Sequence, residues 1–330
     1  MGVHASMRRF LSFFVKAAVS ALLLYLSLRR VDLASVGQRL GALDLRWCAF
    51  VTLLLCAQVP LLALRWREIV TICGANLTAA TALRYSFIGM FFSQVLPSTV
   101  GGDAVRIWLL ARGGAGWSTS FYSVLIDRVV GLSALAVIVV ACLPWTLNLV
   151  HDPVARAALA IMGFGALAGA AVFLIIGTPY LRAIERWWFT RHLVAASRLA
   201  WRLCRSAAGA RVAVLSFAIH LLTVLVAWGA ARAAHASAVF TQVLFLFLPV
   251  MLIATVPVSI AGWGVRESAL VLAFSYAGLA ESDGLIVSIL YGVTTLGVGA
   301  LGGIVWIASG YRWSSVKTIE TETQTHEPRA

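Results

Sequence analysis

Uninterrupted apolar stretches dominate this chain and limit what it can fold into. Six of them approach the roughly 20 residues that a helix needs to cross the hydrocarbon core of a bilayer. Charged residues make up only 12% of the sequence, whereas a soluble domain has about a quarter. We therefore predict an all-α, polytopic membrane helical bundle with a single transmembrane domain over residues 1–313. The six full spans are expected at about 10–28, 47–64, 129–149, 157–176, 212–231 and 285–307.

Three segments outside these spans are expected at the membrane surface or in solution. Residues 31–46 and 177–211 have the amphipathic spacing of helices that lie in the interface. The tail 314–330 is polar, and we predict that it is disordered and cytoplasmic. No small-residue cleavage site follows the first apolar run, so an uncleaved span is expected there and not a signal peptide.

The distribution of basic residues predicts the orientation. Segment 177–211 carries seven arginines and one acid, Glu185. The positive-inside rule places this segment in the cytoplasm, and counting spans outward from it puts both termini inside. Four arginines between residues 29 and 46 fall on the outer face, against the rule. The formal net charge of +13 lies mainly between apolar runs, which favours contact with anionic lipid over nucleic acid.

Two further apolar regions, 79–117 and 239–275, are interrupted by the same polar pattern. The first reads LPSTVGGDAVR and the second VPVSIAGWGVR. The span count brings them in from opposite faces, so we predict two Pro/Gly-broken re-entrant hairpins in an inverted repeat. Such pairs surround the midplane binding site of many transporters. A gapless alignment matches Pro97 with Pro257, Gly102 with Gly262, Val105 with Val265 and Arg106 with Arg266.

Two simpler interpretations of these regions stay open. Proline and glycine are common in transmembrane helices, so each break alone could be a kink. Residues 79–96 would extend about 27 Å as a helix, at about 1.5 Å per residue. That length allows a full crossing, which would change the topology but keep the break.

The breaks have the chemistry of an anion site. Each proline ends a helix, and the glycines permit a turn, so the restarting helix points its N-terminal amides into the gap. The hydroxyls of Ser98, Thr99 and Ser259 can donate hydrogen bonds there, beside Arg106 and Arg266. A charge at mid-bilayer is costly, so each arginine needs a partner or a purpose. The candidate partners are Asp103, Glu267 and the pair Asp127–Arg128.

Several polar residues also have simpler interpretations. Arg128 could extend to the interface with Asp127 as a structural partner, and His220 is better explained as a packing residue than as a proton relay. No Gly-rich nucleotide loop, HExxH or GxSxG motif occurs, and the five cysteines form no CxxC pair. We therefore expect no enzymatic domain, no cofactor and no metal site.

At these motifs the sequence resembles the lysylphosphatidylglycerol synthase transmembrane-region family of flippase-like membrane proteins. The resemblance covers roughly residues 10–310. It rests on RWREIV from Arg65, SQVLPSTVGGDAVRIWLLAR from Ser93, SVLIDRVVGL from Ser123 and PVSIAGWGVRESALV from Pro257. No polar region large enough for an aminoacyl-transferase domain is present, so the resemblance implies the lipid-translocating part alone.

The resemblance implies a lipid flippase or translocase in the bacterial inner membrane, moving an anionic lipid of phospholipid or isoprenoid type. The alternative is a membrane-embedded partner or transferase subunit that presents a lipid-linked substrate to a lipid-modifying enzyme or glycosyltransferase. A small-anion transporter is a third, weaker possibility. The sequence does not indicate the oligomeric state. With Pro97 and Pro257 as helix breaks, the expected substrate-binding residues are Gln94, Ser98, Thr99, Gly101, Gly102, Asp103, Arg106, Asp127, Arg128, Ser259, Gly262, Gly264, Arg266 and Glu267.

Overall fold

A computed structural model describes residues 33–96, 100–178, 188–255 and 262–310, together with a few isolated positions between 18 and 31. The described ranges contain eleven α-helices, and a π-helical turn at Ala111–Ala115 follows the fourth. The helices are α1 (Leu33–Gly41), α2 (Leu45–Ile72), α3 (Ala79–Val95), α4 (Gly101–Leu110), α5 (Trp117–Leu149), α6 (Pro153–Ile176), α7 (Trp188–Cys204), α8 (Ala207–Ala233), α9 (Phe240–Ala254), α10 (Val265–Tyr276) and α11 (Glu281–Ala308).

Short polar side chains begin four of these helices. Asp44, Thr78, Asp152 and Ser206 each accept a hydrogen bond from a backbone amide in the following turn. This capping satisfies amides that a helix start leaves without an intrahelical partner.

Five helices in the described ranges are long and apolar enough to cross a membrane: α2, α5, α6, α8 and α11. They confirm five of the six predicted spans, and the protein is a polytopic helical membrane protein. Two boundaries were wrong, because α2 continues to Ile72 and α5 begins at Trp117. The predicted spans stopped at charged residues, which the fold keeps inside these helices by pairing them. Arg65 and Asp127 are also buried, whereas Arg128 is half exposed.

The two amphipathic segments are helical, as predicted. Part of 31–46 forms α1, and part of 177–211 forms α7. Helix α1 is tied to the bundle by an ion pair from Arg39 to the buried Asp283, which also accepts hydrogen bonds from Ser237. Several predicted features lie outside the described residues. They are most of the first predicted span, the tail 314–330, and the residues Pro97, Ser98, Thr99, Pro257 and Ser259.

The two interrupted regions form two helical hairpins, α3–α4 and α9–α10, and α11 shows how far each one reaches. Ser288 of α11 contacts Arg266 at the start of α10, whereas Gly299 packs against Gln94 near the end of α3. These two positions flank the middle of α11. Helix α3 therefore ends near mid-bundle and does not cross fully, and the hairpins enter from opposite ends. The described residues beside each break, 95–96 and 100–103 in the first hairpin and 254–255 and 262–266 in the second, meet near the middle, and we call them the tips.

The two halves of the chain make corresponding helix contacts. Helices α2 and α8 pack together at the centre. The contact of α3 with α11 in the first half corresponds to the contact of α9 with α5 in the second. In the same way, the contact of α4 with α5 corresponds to the contact of α10 with α11. The correspondence indicates a repeat, and the opposite entry of the two hairpins makes it an inverted one. The repeated units are α2–α5 and α8–α11, and α6 and α7 link them.

Candidate functional site

The tips of the two hairpins line two adjoining cavities. One, of about 350 Å³, contains the polar groups of Arg65, Asp103, Arg106 and Asp127. The other, of about 380 Å³, is lined by residues of both tips, including Val100 and Asp103 from the first and Thr255, Gly262 and Arg266 from the second. Both are lined by Asp103, Arg128, Leu132, Met251 and Thr255. We call the two together the charged cavity.

Arg106, the arginine that follows the first break, holds two aspartates. Its Nη2 donates to Asp127 Oδ2 at 3.0 Å, and its Nη1 lies 3.5 Å from Asp103 Oδ1. The other oxygen of Asp127 accepts from Arg65 Nε at 2.9 Å. Asp127 thus bridges α2 and α4, although its side chain is only 4% exposed. Such a charge is tolerated at depth because both oxygens are paired.

Arg128 completes this group by pairing with Asp103. Its Nε and Nη2 donate to the two carboxylate oxygens at 2.5 and 3.0 Å, the two-pronged geometry that makes such pairs strong. The interpretation of Asp127 as the partner of Arg128 was therefore wrong, because the two adjacent side chains pair with different residues. We call Arg65, Asp103, Arg106, Asp127 and Arg128 the first cluster.

Two polar atoms in the wall of the charged cavity have no hydrogen-bond partner among the described residues. They are Nε of Arg106 and Oγ of Ser86, and both are buried. An unmatched buried donor costs about 1–3 kcal/mol and more when it is charged. Both residues line the cavity, but each of these atoms has less than 1 Å² of exposed surface. A guest that carries acceptor oxygens therefore reaches them only when neighbouring side chains move.

Neighbouring residues hold the Arg106 side chain in place. Its guanidinium lies over the ring of Trp66, with Cζ 4.2 Å from the ring centroid. Its stem lies so close to Gly89 that a Cβ there would come within 2.8 Å of Arg106 Cγ. The side chain is consequently fixed with its polar end toward the cavity.

The arginine after the second break has a different environment. Arg266 Nη2 donates to Glu267 Oε1 at 2.8 Å, and its Nε donates to Ser288 Oγ at 2.9 Å. Ser288 in turn donates to Glu267, whose second oxygen accepts from the amide of Gly264 at 2.6 Å. These contacts close on themselves, and we call Arg266, Glu267 and Ser288 the second cluster.

The two clusters differ in charge. The first contains three arginines and two aspartates, a formal charge of +1, whereas the second contains one arginine and one glutamate and is neutral. Glu267 also occupies an N-terminal amide of α10, which the sequence had assigned to a guest. An excess positive charge in a poorly hydrated cavity attracts an anion.

The structure brings many predicted site residues to the cavity but gives several others packing roles. Asp103, Arg106, Asp127, Arg128, Gly262 and Arg266 line it. Gln94 instead packs on Gly299, and Gly101 packs on Leu96. Gly102 meets Ser93 and the carbonyl of Gly89, and Gly264 is the N-cap of α10. Ser98, Thr99 and Ser259 lie outside the described residues.

Sequence reasoning missed several residues of the cavity. Arg65 lies just beyond the predicted span 47–64, yet it is only 6% exposed and belongs to the first cluster. His220, interpreted as a packing residue, does bond to the Gly131 carbonyl, yet it also lines the cavity. One feature of the sequence could have identified these residues: they are polar residues inside apolar runs. Such residues in transmembrane helices tend to face the interior of the bundle. The others missed are Gln58, Ser86, Thr223, Tyr291 and Thr295.

All five cysteines are free thiols. Burial raises the pKa of Cys73, just beyond the end of α2, to about 12, so its thiol is protonated at neutral pH. No group of three or more potential metal-ligating side chains occurs within the described ranges.

The fold and the cavity define a class: multi-pass helical membrane proteins in which two opposed hairpins meet at a buried charged site. Residues 13–303 match the family described as lysylphosphatidylglycerol synthase TM region, and the chain belongs to this family.

One curated relative is the UPF0104 membrane protein PH1989 of Pyrococcus horikoshii. It is 25% identical over 135 residues, which cover 40% of this chain and 39% of the relative. The match thus spans about two fifths of each protein. It agrees with a membrane protein of this family and carries no further assignment.

Proposed function

We propose that this protein moves an anionic lipid across the bilayer, with the negatively charged headgroup held in the charged cavity. The proposal rests chiefly on the first cluster, where a surplus positive charge lines a cavity beside both hairpin tips. Arg106 in that cluster also has a buried donor, Nε, without a partner among the described residues. Phosphate and carboxylate oxygens are the acceptors that arginine prefers.

The shape of the site supports movement as well as binding. The two hairpins reach the middle of α11 from opposite ends, so a headgroup between their tips lies near equal depth from both faces. Broken helices in an inverted arrangement are the framework on which alternating access is built in other transporters. The proposed location is the bacterial inner membrane, with both termini in the cytoplasm.

The arginine distribution agrees with this orientation. Arg211 at the start of α8 pairs with Glu68 near the end of α2, at the same end of the bundle as the arginine-rich α7. Positive charge concentrated at one end favours the cytoplasmic side.

Reconstitution tests the proposal. Purified full-length protein in vesicles containing a fluorescent phosphatidylglycerol is exposed to a membrane-impermeant quencher. Movement gives loss of inner-leaflet fluorescence at a rate proportional to protein content. Arg106→Ala is expected to abolish the protein-dependent rate. Arg211→Ala is the control, because it removes an arginine from an exposed ion pair whose residues do not line the cavity.

The same experiment addresses the alternative role as a membrane-embedded partner that presents a lipid. Binding of phosphatidylglycerol without movement by the purified protein would support that role and contradict the proposal. Movement that persists unchanged in Arg106→Ala would also contradict it.

A further inference from the structure

An apolar groove runs along α6, between α5 and α9, beside the charged cavity. We infer that this groove holds a hydrocarbon chain of the same lipid whose headgroup occupies the cavity. The inference rests on the proposed function and adds a second binding site to it, specific for an acyl or isoprenoid chain.

Continuity with the charged cavity carries the inference. The inner part of the groove, about 420 Å³, shares Leu132 and Thr255 with both parts of that cavity. The outer part, about 310 Å³, shares Met162 and Ile253 with the inner part. The cavities therefore adjoin one another in series, from the first cluster to the outer groove, with these side chains at their boundaries.

The lining changes from charged to apolar along this series. The inner part contains no charged side chain among its described residues and is formed by groups such as Val129, Phe173 and Leu252. The outer part is lined mainly by apolar residues of α5, α6, α9 and α10. A charged cavity next to an apolar groove matches an amphipathic molecule better than a small anion, which needs no apolar surface.

Helix α6 gives the groove its open side. Ala166, Gly169 and Ala170 line the inner part, and a Cβ added at Gly169 would meet nothing within 4 Å. Small residues keep the helix surface back from α9 and leave width for a chain. Helix α6 itself is the least buried of the five crossing helices, so a chain can enter from the bilayer beside it.

A matched pair of glycines tests the inference. Gly169 lines the groove, whereas Gly165, one turn away on the same helix, does not; both are exposed and have open space around them. In detergent-purified protein, Gly169→Phe is expected to weaken binding of long-chain phosphatidylglycerol about tenfold by filling the groove. Binding of glycerophosphate, which has no chain, should not change. Gly165→Phe should leave both affinities at the wild-type value.

Several results would overturn the inference. The first is that Gly169→Phe binds phosphatidylglycerol with wild-type affinity. The second is that it loses affinity equally for phosphatidylglycerol and glycerophosphate. The third is that it loses affinity equally for phosphatidylglycerol and phosphatidylcholine. The last would indicate an annular lipid whose headgroup is outside the cavity. Ala166→Phe provides a second obstruction should Gly169→Phe not fold. Chain-dependent binding without lipid movement would contradict the proposed function and still support the groove.

Discussion

The two hairpins begin from matching sequence and end with different chemistry. Arg106 and Arg266 occupy equivalent positions after their breaks, and each reaches the helix that follows its hairpin, at Asp127 and Ser288 respectively. In the first half the acid on that helix is Asp127, and two further arginines, Arg65 and Arg128, join the cluster. The second half carries its acid next to the arginine, as Glu267, and closes into a neutral unit. A repeat can therefore supply one half for binding and the other for support.

The matched glycines differ in the same way. Gly102 is needed for space, since a Cβ there would collide with Ser93 and the carbonyl of Gly89. Gly262 is needed for its backbone angle, with φ of 80° and only Ala254 nearby, at 4.0 Å. Both positions are glycine, but the constraint is steric at Gly102 and conformational at Gly262.

The largest functional effect should come from Arg106→Ala. It lowers the charge of the first cluster to zero and removes the unpartnered donor, so we expect lipid movement to fall by about 100-fold or more, equivalent to about 2.8 kcal/mol. Its folding stability should change less than that of the second-cluster variants. This is because Asp127 keeps Arg65 and Asp103 keeps Arg128. Thermal unfolding and the vesicle assay, run on one preparation, separate the two effects; a strongly unstable Arg106→Ala would contradict the assignment.

Arg266→Ala should show the reverse pattern. It leaves Glu267, which is fully buried, without an opposite charge, and breaking a buried pair in this way costs about 3–5 kcal/mol of stability. Movement per folded molecule is expected to stay within about threefold of wild type, a difference of about 0.7 kcal/mol. The double variant Arg266→Met with Glu267→Gln removes both charges and should recover most of the stability. A double variant as unstable as Arg266→Ala would argue against a structural role for the pair.

Substitutions of the matched glycines sharpen the contrast. Gly102→Ala should destabilise by about 1–3 kcal/mol through overpacking, and the larger Gly102→Asn should be worse. At Gly262 the order is expected to reverse, because asparagine tolerates positive φ better than alanine does. Chemical or thermal unfolding of the four variants gives the ranking, and the same order at both positions would show that the two glycines meet one common requirement.

A pair of serines should give the smallest effects. Ser288 links Arg266 to Glu267, so Ser288→Ala should cost about 1–3 kcal/mol of stability and leave lipid affinity unchanged. Ser86 has no hydrogen-bond partner to lose, so Ser86→Ala should leave stability unchanged or raise it, by up to about 1–3 kcal/mol. The lipid affinity of Ser86→Ala should fall a few-fold, as expected when the Ser86 hydroxyl of the wild type donates to the headgroup. Equal unfolding midpoints for the two variants would contradict the division between the clusters.

The sequence was sufficient for the broad architecture. Apolar length predicts five of the crossing helices, and the repeated Pro/Gly pattern predicts two hairpins whose tips meet. Both rest on local properties, namely chain hydrophobicity and backbone freedom. The boundary near Trp117 could not be obtained this way, because Asp127 and Arg128 read as the edge of an apolar run.

The pairing of the charges depends on tertiary contacts and was beyond local reasoning. Asp127 joins Arg65, 62 positions earlier in the chain, and Arg128 reaches back to Asp103 on another helix. Neighbouring residues on a helix point in different directions, so adjacency in Asp127–Arg128 indicated the wrong partner. Gln94 likewise lies beside the tip in sequence but faces α11.

A lipid-bound structure in nanodiscs containing phosphatidylglycerol tests the central claim most directly. The account predicts phosphate density between the hairpin tips, with an oxygen about 3 Å from Arg106 Nε. It also predicts that the second cluster keeps its internal hydrogen bonds. Headgroup density confined to the bilayer surface, with Arg106 Nε still unpartnered under saturating lipid, would contradict it.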